Sequence, residues 1–183
     1  MNKFKLYKTI LLQILVIFYF SACESLNPSN NNIIEDGELL FFSLQDINPN
    51  SIAFGNHIGP QDYLGKVVLV YFTNNETWST CINRFGLVYQ IFEEYHNTIN
   101  NTFEVMVIGI GQNNFTSITG ITDNKITPWV KDINENDIWH SWEAINRDLY
   151  FISKDGKYSG KENLTQEFDE YLIRNKVNNL INQ

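Results

Sequence analysis

Residues 66–95, "KVVLVYFTNNETWSTCINRFGLVYQIFEEY", decide how this chain folds. The run "KVVLVYF" (66–72) is β-branched and aromatic without alternation, the pattern of a strand buried on both faces. From Cys81 to Tyr95 the large apolar residues Phe85, Val88, Ile91, Phe92 and Tyr95 recur every three or four positions. That spacing predicts a helix with one buried face. One cysteine, Cys81, lies at the junction, with Trp78 three residues before it.

The same periods place the other elements. "FEVMVIGI" (103–110) reads as a second buried strand, "ITPWVKD" (126–132) as a short third segment, and 137–144 as a helical turn. "DLYFISKDGKYSG" (148–160) reads as a hairpin turning at Asp155-Gly156. "LTQEFDEYLIRNKVNNLI" (164–181) reads as a closing amphipathic helix, with Leu164, Phe168, Leu172 and Ile173 on one side and Asn163 as its cap. Upstream, "ELLFFSL" (38–44) is a short strand candidate followed by the loop "NPNSIAFGNHIGP" (48–60). The order is β, β-α-β, α, β-β-α. It predicts an α/β domain over 38–183, a central mixed sheet flanked by helices with an N-terminal extension strand. A chain of 183 residues is long enough for one such core.

The first 22 residues read as a secretory signal rather than as part of the domain. "MNKFKLYK" carries Lys3, Lys5 and Lys8 and no acid; an apolar run of twelve, "TILLQILVIFYF", follows; "SAC" then supplies small residues and Cys23. The run is too short for an ordinary transmembrane helix. Phe20-Ser21-Ala22-Cys23 is similar to a bacterial lipobox, with Phe20 where Leu is usual. That likeness implies acylation at Cys23 and a lipid anchor, against the alternatives of a plain signal peptide cut nearby or an uncleaved anchor. Residues 23–37 are polar and Asn-rich and read as a flexible tether. Removing three lysines takes the formal charge from −8 to −11. Nucleic acid and anionic headgroups are therefore poor partners for the domain surface.

"DYLGKVVLVYF" resembles the "l.GKvvlv.F" strand of the thioredoxin-like redoxins, the periplasmic thiol-disulfide and peroxiredoxin-like group. "DIWHSWEAINRDLYFISKDGKY" is similar to the distal half of the selenoprotein P N-terminal domain, itself thioredoxin-like. The likeness runs from Leu40 to about Ile173. It implies a thioredoxin-like fold and a redox motif, Cys-x-x-Cys, at the start of the helix after the central strand. There, free helix N–H groups and the positive dipole end favour a thiolate.

In this chain Cys81 matches the second cysteine of that motif, and Trp78 takes the first position, in Trp78-Ser79-Thr80-Cys81. The match needs one extra residue between strand and motif. If Cys23 is acylated, Cys81 is the one thiol left, and a lone thiol cannot close the intramolecular disulfide of dithiol exchange. The Pro-x-x-x-Thr-x-x-Cys setting of peroxiredoxins is missing, with Asn74 and Trp78 at the corresponding positions. So is the proline usual before the next strand, near Arg147-Asp148. Plainer readings stand beside these. Cys81 can be a small buried hydrophobe, Trp78 a packing plug, and Trp129, Trp139 and Trp142 core residues. His57, His96 and His140 lack ligand-spaced neighbours, so no metal is expected. Gly109-Ile110-Gly111 lacks the third glycine and following helix of a dinucleotide loop, so no cofactor is expected.

Two functions remain open. One is a lipid-anchored, periplasm-facing monothiol oxidoreductase, with Cys81 exchanging with a protein's disulfide or a small thiol. The other is a non-catalytic module that binds a protein or peptide in the substrate groove near Trp78, Ser79, Thr80, Cys81 and Arg147.

Overall fold

The computed structural model describes residues 34–97, 102–112, 117–132 and 137–183. The signal reading of 1–22, Cys23 and the tether up to residue 33 lie outside the described residues.

The strands, in chain order, are β1 (Leu44–Gln45), β2 (His57–Ile58), β3 (Val67–Thr73), β4 (His96–Asn97), β5 (Thr102–Phe103), β6 (Val105–Gln112), β7 (Trp129–Asp132), β8 (Asp148–Ile152) and β9 (Tyr158–Asn163). The helices are α1 (Ser79–Glu94), α2 (Ile138–Ser141) and α3 (Glu170–Ile181). The central sheet has five strands in the order β7-β6-β3-β8-β9. β3, β6 and β7 are parallel, while β8 and β9 add on as an antiparallel hairpin. All seven residues of β3 are buried, as their unbroken apolar run predicts.

Alternation along β3 assigns each side chain to a face. Tyr71 stacks on Phe85 of α1, with ring centroids 5.6 Å apart. Phe72 turns to the other face, against Trp139 (5.2 Å), Trp142 (5.8 Å) and Tyr150 (5.2 Å). α1 and α3 share the Tyr71 face: the Tyr95 hydroxyl donates to Asn178 Oδ1 at 2.6 Å, and Arg174 pairs with Glu94. The Phe72 face is closed by α2, by Trp142 and by Phe42 from the N-terminal segment.

Two glycines of β6 have a packing reason. A Cβ at Gly109 would lie 2.2 Å from the Trp129 ring, and one at Gly111 would lie 2.1 Å from Glu76 Oε1. Gly109-Ile110-Gly111 therefore makes room for a tryptophan and a buried carboxylate.

Three expectations change in detail. The strand expected over 38–44 shortens to Leu44–Gln45, which pairs with His57–Ile58 outside the central sheet. Upstream of it, burial still alternates, with Leu40 and Phe42 in and Leu39 and Phe41 out. The closing helix starts at Glu170, not near Leu164, and its cap is Asp169, whose carboxylate accepts from Leu172 N. Asn163 is not that cap: it ends β9, and its amide donates to Asp148 Oδ1 at 2.8 Å. Leu164 is held out of the helix because its N–H donates to the Arg147 carbonyl at 2.9 Å. The buried face of α3 is Ile173, Val177 and Leu180, and Leu172 is exposed.

Candidate functional site

β3 ends at Thr73, and the loop 74–78 carries the chain into α1. Asn75 shapes that loop: its Oδ1 accepts from Thr77 N (3.0 Å), Thr77 Oγ1 (2.8 Å) and Trp78 N (3.1 Å), an Asx-type turn. Trp78 is the extended residue before the helix and makes no side-chain cap bond. Ser79, Thr80 and Cys81 are the first three helical residues. The junction expected from the sequence is therefore where Cys81 lies.

Exposure divides the motif. Cys81 is 0% exposed, whereas Trp78 is 54% exposed; Ser79 and Thr80 are also open to solvent. Among the described residues Cys81 is the one free cysteine. Its Sγ lies 4.0 Å from Asn146 Oδ1, a contact in which the thiol S–H is the donor. That same oxygen accepts from Thr73 Oγ1 (3.2 Å) and Asn74 N (3.1 Å). Below it, the Tyr71 hydroxyl donates to the Cys81 carbonyl at 3.3 Å. Burial raises the Tyr71 pKa, and the facing Cys81 sulfur adds to the rise, so its hydroxyl stays a donor across the ordinary pH range.

Arg147 meets this cluster from the far side of β3. Its N–H donates to the Phe72 carbonyl at 2.8 Å, and its own carbonyl takes the Leu164 N–H. The residue sits at φ +70°, a left-handed conformation costing of order 1 kcal/mol for a residue with a Cβ. Backbone bonds on both sides hold it there. Asn146 and Arg147 thus occupy the approach to Cys81 at the point where the family resemblance implies a proline. Sequence reasoning named Arg147 for this site but missed Asn146, Thr73, Tyr71 and Arg84, whose Nε donates to the Leu164 carbonyl at 2.9 Å. Asn146 stands beside Arg147, and its place just before β8 was the available signal. Arg84 and Tyr71 carry no local pattern that separates them from ordinary helix and strand residues.

A second feature lies beside the loop. Glu76 is 0% exposed; its Oε1 accepts from Trp129 Nε1 at 3.1 Å, and its Oε2 is buried without a hydrogen-bond partner. Burial pushes its pKa up to about 7, against the opposing pull of the Trp129 N–H and the Lys131 charge. The loop before Trp78 is thereby tied, through Glu76, to the β6–β7 edge of the sheet.

No protein-family model matches the chain, and no curated protein matches it by sequence. Solved structures do match. A protein from Chlorobium tepidum described as a thiol:disulfide interchange protein DsbE aligns at TM-score 0.63 and 12% identity, covering 81% of this chain and 99% of that one. The thioredoxin domain of a thiol-disulfide oxidoreductase from Bacteroides vulgatus aligns at 0.57 and 17%, covering 79% and 99%. A secreted Mycobacterium tuberculosis disulfide oxidoreductase homologous to E. coli DsbE aligns at 0.56 and 14%, covering 76% and 96%. This chain has the thioredoxin-like fold, and these structures of the same fold are named as thiol-disulfide proteins.

Proposed function

We propose that this protein is a lipid-anchored thioredoxin-fold protein of the bacterial cell envelope, whose redox motif is reduced to the single sulfur of Cys81. It works by binding a protein or peptide segment at the C-terminal end of β3, beside Trp78. In open α/β sheets that end of the strands is the usual ligand site.

The observation that carries this reading is the split in exposure between the two motif positions, 54% at Trp78 and 0% at Cys81. Disulfide exchange needs a thiolate that can reach a sulfur of the partner. A sulfur with no accessible surface cannot make that attack, and the exposed position carries an indole. An indole is an amphipathic contact surface of the kind enriched where proteins bind one another. The order of basic residues, apolar run, small residues and Cys23 supports the anchor, and the secreted Mycobacterium protein fits an envelope location.

A second reading, a monothiol that exchanges with a partner's disulfide or a small thiol, is favoured by the oxidoreductase names of the similar structures. It requires Cys81 to become exposed. Native and denatured protein treated with a maleimide, and native protein incubated with oxidised glutathione, separate the two. Binding without exchange predicts label on Cys81 only after denaturation and no mixed disulfide by mass spectrometry. Rapid native labelling with a glutathione adduct would move the assignment to the monothiol.

A further inference from the structure

The chain has three arginines, Arg84, Arg147 and Arg174. Arg174 is paired with Glu94 and Glu170. Among the described residues, no carboxylate lies within ion-pair distance of Arg84 or Arg147. That is unusual company in a chain with 21 acidic residues against 13 basic ones.

These two arginines are brought to one place. Arg84 Nε donates to the Leu164 carbonyl at 2.9 Å. The Leu164 N–H goes to the Arg147 carbonyl, and Arg147 Nη1 donates to Thr165 Oγ1 at 3.3 Å. Both side chains therefore close on Leu164-Thr165, one from the second turn of α1 and the other from the loop before β8. The same segment reaches Cys81 through Asn146: Thr165 Oγ1 donates to the Asn146 carbonyl at 3.4 Å, and Asn146 Oδ1 lies 4.0 Å from Cys81 Sγ. Arg147 Nε is buried with no partner, and the residue is held at a positive φ. An unpaired guanidinium N–H in a strained residue is a cost the fold bears without a structural return, and such costs gather at binding sites.

We infer that Arg84 and Arg147 are a carboxylate-binding pair, and that the segment taken up beside Trp78 is an acidic polypeptide. The inference rests on the groove-binding reading above and adds the chemistry of what binds. Guanidinium groups present paired N–H donors that match a carboxylate, and charge-assisted bonds of this kind are about twice as strong as neutral ones. The rest of the molecule is acidic and repels an acidic partner, so a partly enclosed pair of cations is what selects the place of contact.

The test uses the full-length chain in detergent, with binding read by calorimetry and by emission of Trp78; Trp129, Trp139 and Trp142 are buried. The probes are an end-blocked Glu/Gly peptide, its Gln/Gly and Lys/Gly counterparts, and a Gly-rich peptide with a free C-terminal carboxylate. The Glu/Gly peptide is expected to bind and shift the emission, the shift disappearing in Trp78→Phe. Arg84→Gln and Arg147→Gln should each weaken binding about tenfold, and added salt should weaken it steeply. Arg84→Lys and Arg147→Lys keep the charge and lose the fork, and should fall between. If the free C-terminus binds and the end-blocked peptide does not, the ligand carboxylate is terminal and the acidic-segment claim falls. If the Gln/Gly or Lys/Gly peptide binds equally well, or the arginine variants bind Glu/Gly unchanged, the carboxylate pair is wrong while groove binding survives. If no peptide binds or perturbs Trp78, both claims fail. The salt dependence of the unmodified chain decides the matter should a Gln variant fold poorly by near-ultraviolet circular dichroism.

Discussion

The two faces of the central sheet are built from neighbouring residues of β3 and put to different ends. On the Phe72 face an aromatic cluster joins Phe42, Trp139, Trp142 and Tyr150. Polar groups at its rim are mostly paired: the Tyr150 hydroxyl donates to the Trp142 carbonyl, and Lys161 donates to Asp148 and Tyr150. Trp139 Nε1 and Asp132 Oδ1, whose partner oxygen accepts from Trp139 N at 2.8 Å, are its unpaired exceptions. On the Tyr71 face the apolar packing of Phe85 and Trp129 stops short of the strand end. There Glu76 Oε2 and Arg147 Nε are buried and unpaired, close to the residues that surround Cys81. Each face keeps a few polar atoms unpaired, but only on the Tyr71 face do they lie at the strand end that carries the Trp78–Cys81 turn. Sites tend to sit where local satisfaction is given up.

Phe72→Ala should show the largest effect. Truncating a fully buried ring in contact with three others is expected to cost about 3–5 kcal/mol in chemical denaturation. A loss below about 1 kcal/mol would mean that the aromatic face is not the support assigned to it.

Glu76 comes next and tests the other face. Its pKa is raised from 4.5 to about 7, so the folded state favours the protonated carboxyl. Its contribution is fully present below the unfolded value and is lost as pH rises through the folded one. Stability should therefore fall by about 3 kcal/mol as the pH rises across that window. Glu76→Gln should flatten the profile. An unchanged slope in that variant would show that the carboxyl is not buried against Trp129 as described.

Arg147→Gly should have the smallest effect on stability and a large one on binding. Glycine accepts φ +70° freely, and the strain relieved opposes the entropy that glycine adds to the unfolded chain, so unfolding should shift by less than about 1 kcal/mol. Acidic peptide should nonetheless bind more weakly. Strong destabilisation would mean that the side chain supports the fold rather than a ligand.

The contrast between the faces also explains what the sequence revealed. The unbroken apolar run of β3 and the three-to-four spacing from Phe85 to Tyr95 report burial that repeats along one element, and both elements appear as expected. The position of Cys81 followed, because the strand–helix junction follows from two periodic segments. Leu164 misled because a single tertiary bond, to the Arg147 carbonyl, outweighs an apolar spacing that suits a helix. The contacts of Arg84, Asn146 and Glu76 were not legible for a related reason, although Asn146 could have been singled out by its place just before β8. Each of the three is one polar residue whose role depends on partners 53 to 80 positions away, and no local period encodes such a partner.

Central to the proposed function is that Trp78 and Cys81, exposed and buried respectively, stand where the family resemblance places a cysteine pair. The Trp78→Cys substitution tests this directly, by the redox state of the two sulfurs after air oxidation and by insulin reduction in the presence of a thiol. The expected result is an intramolecular disulfide between the introduced sulfur and Cys81, with a gain of insulin-reducing activity over the parent chain. Two free thiols after oxidation, with no gain in activity, would contradict it.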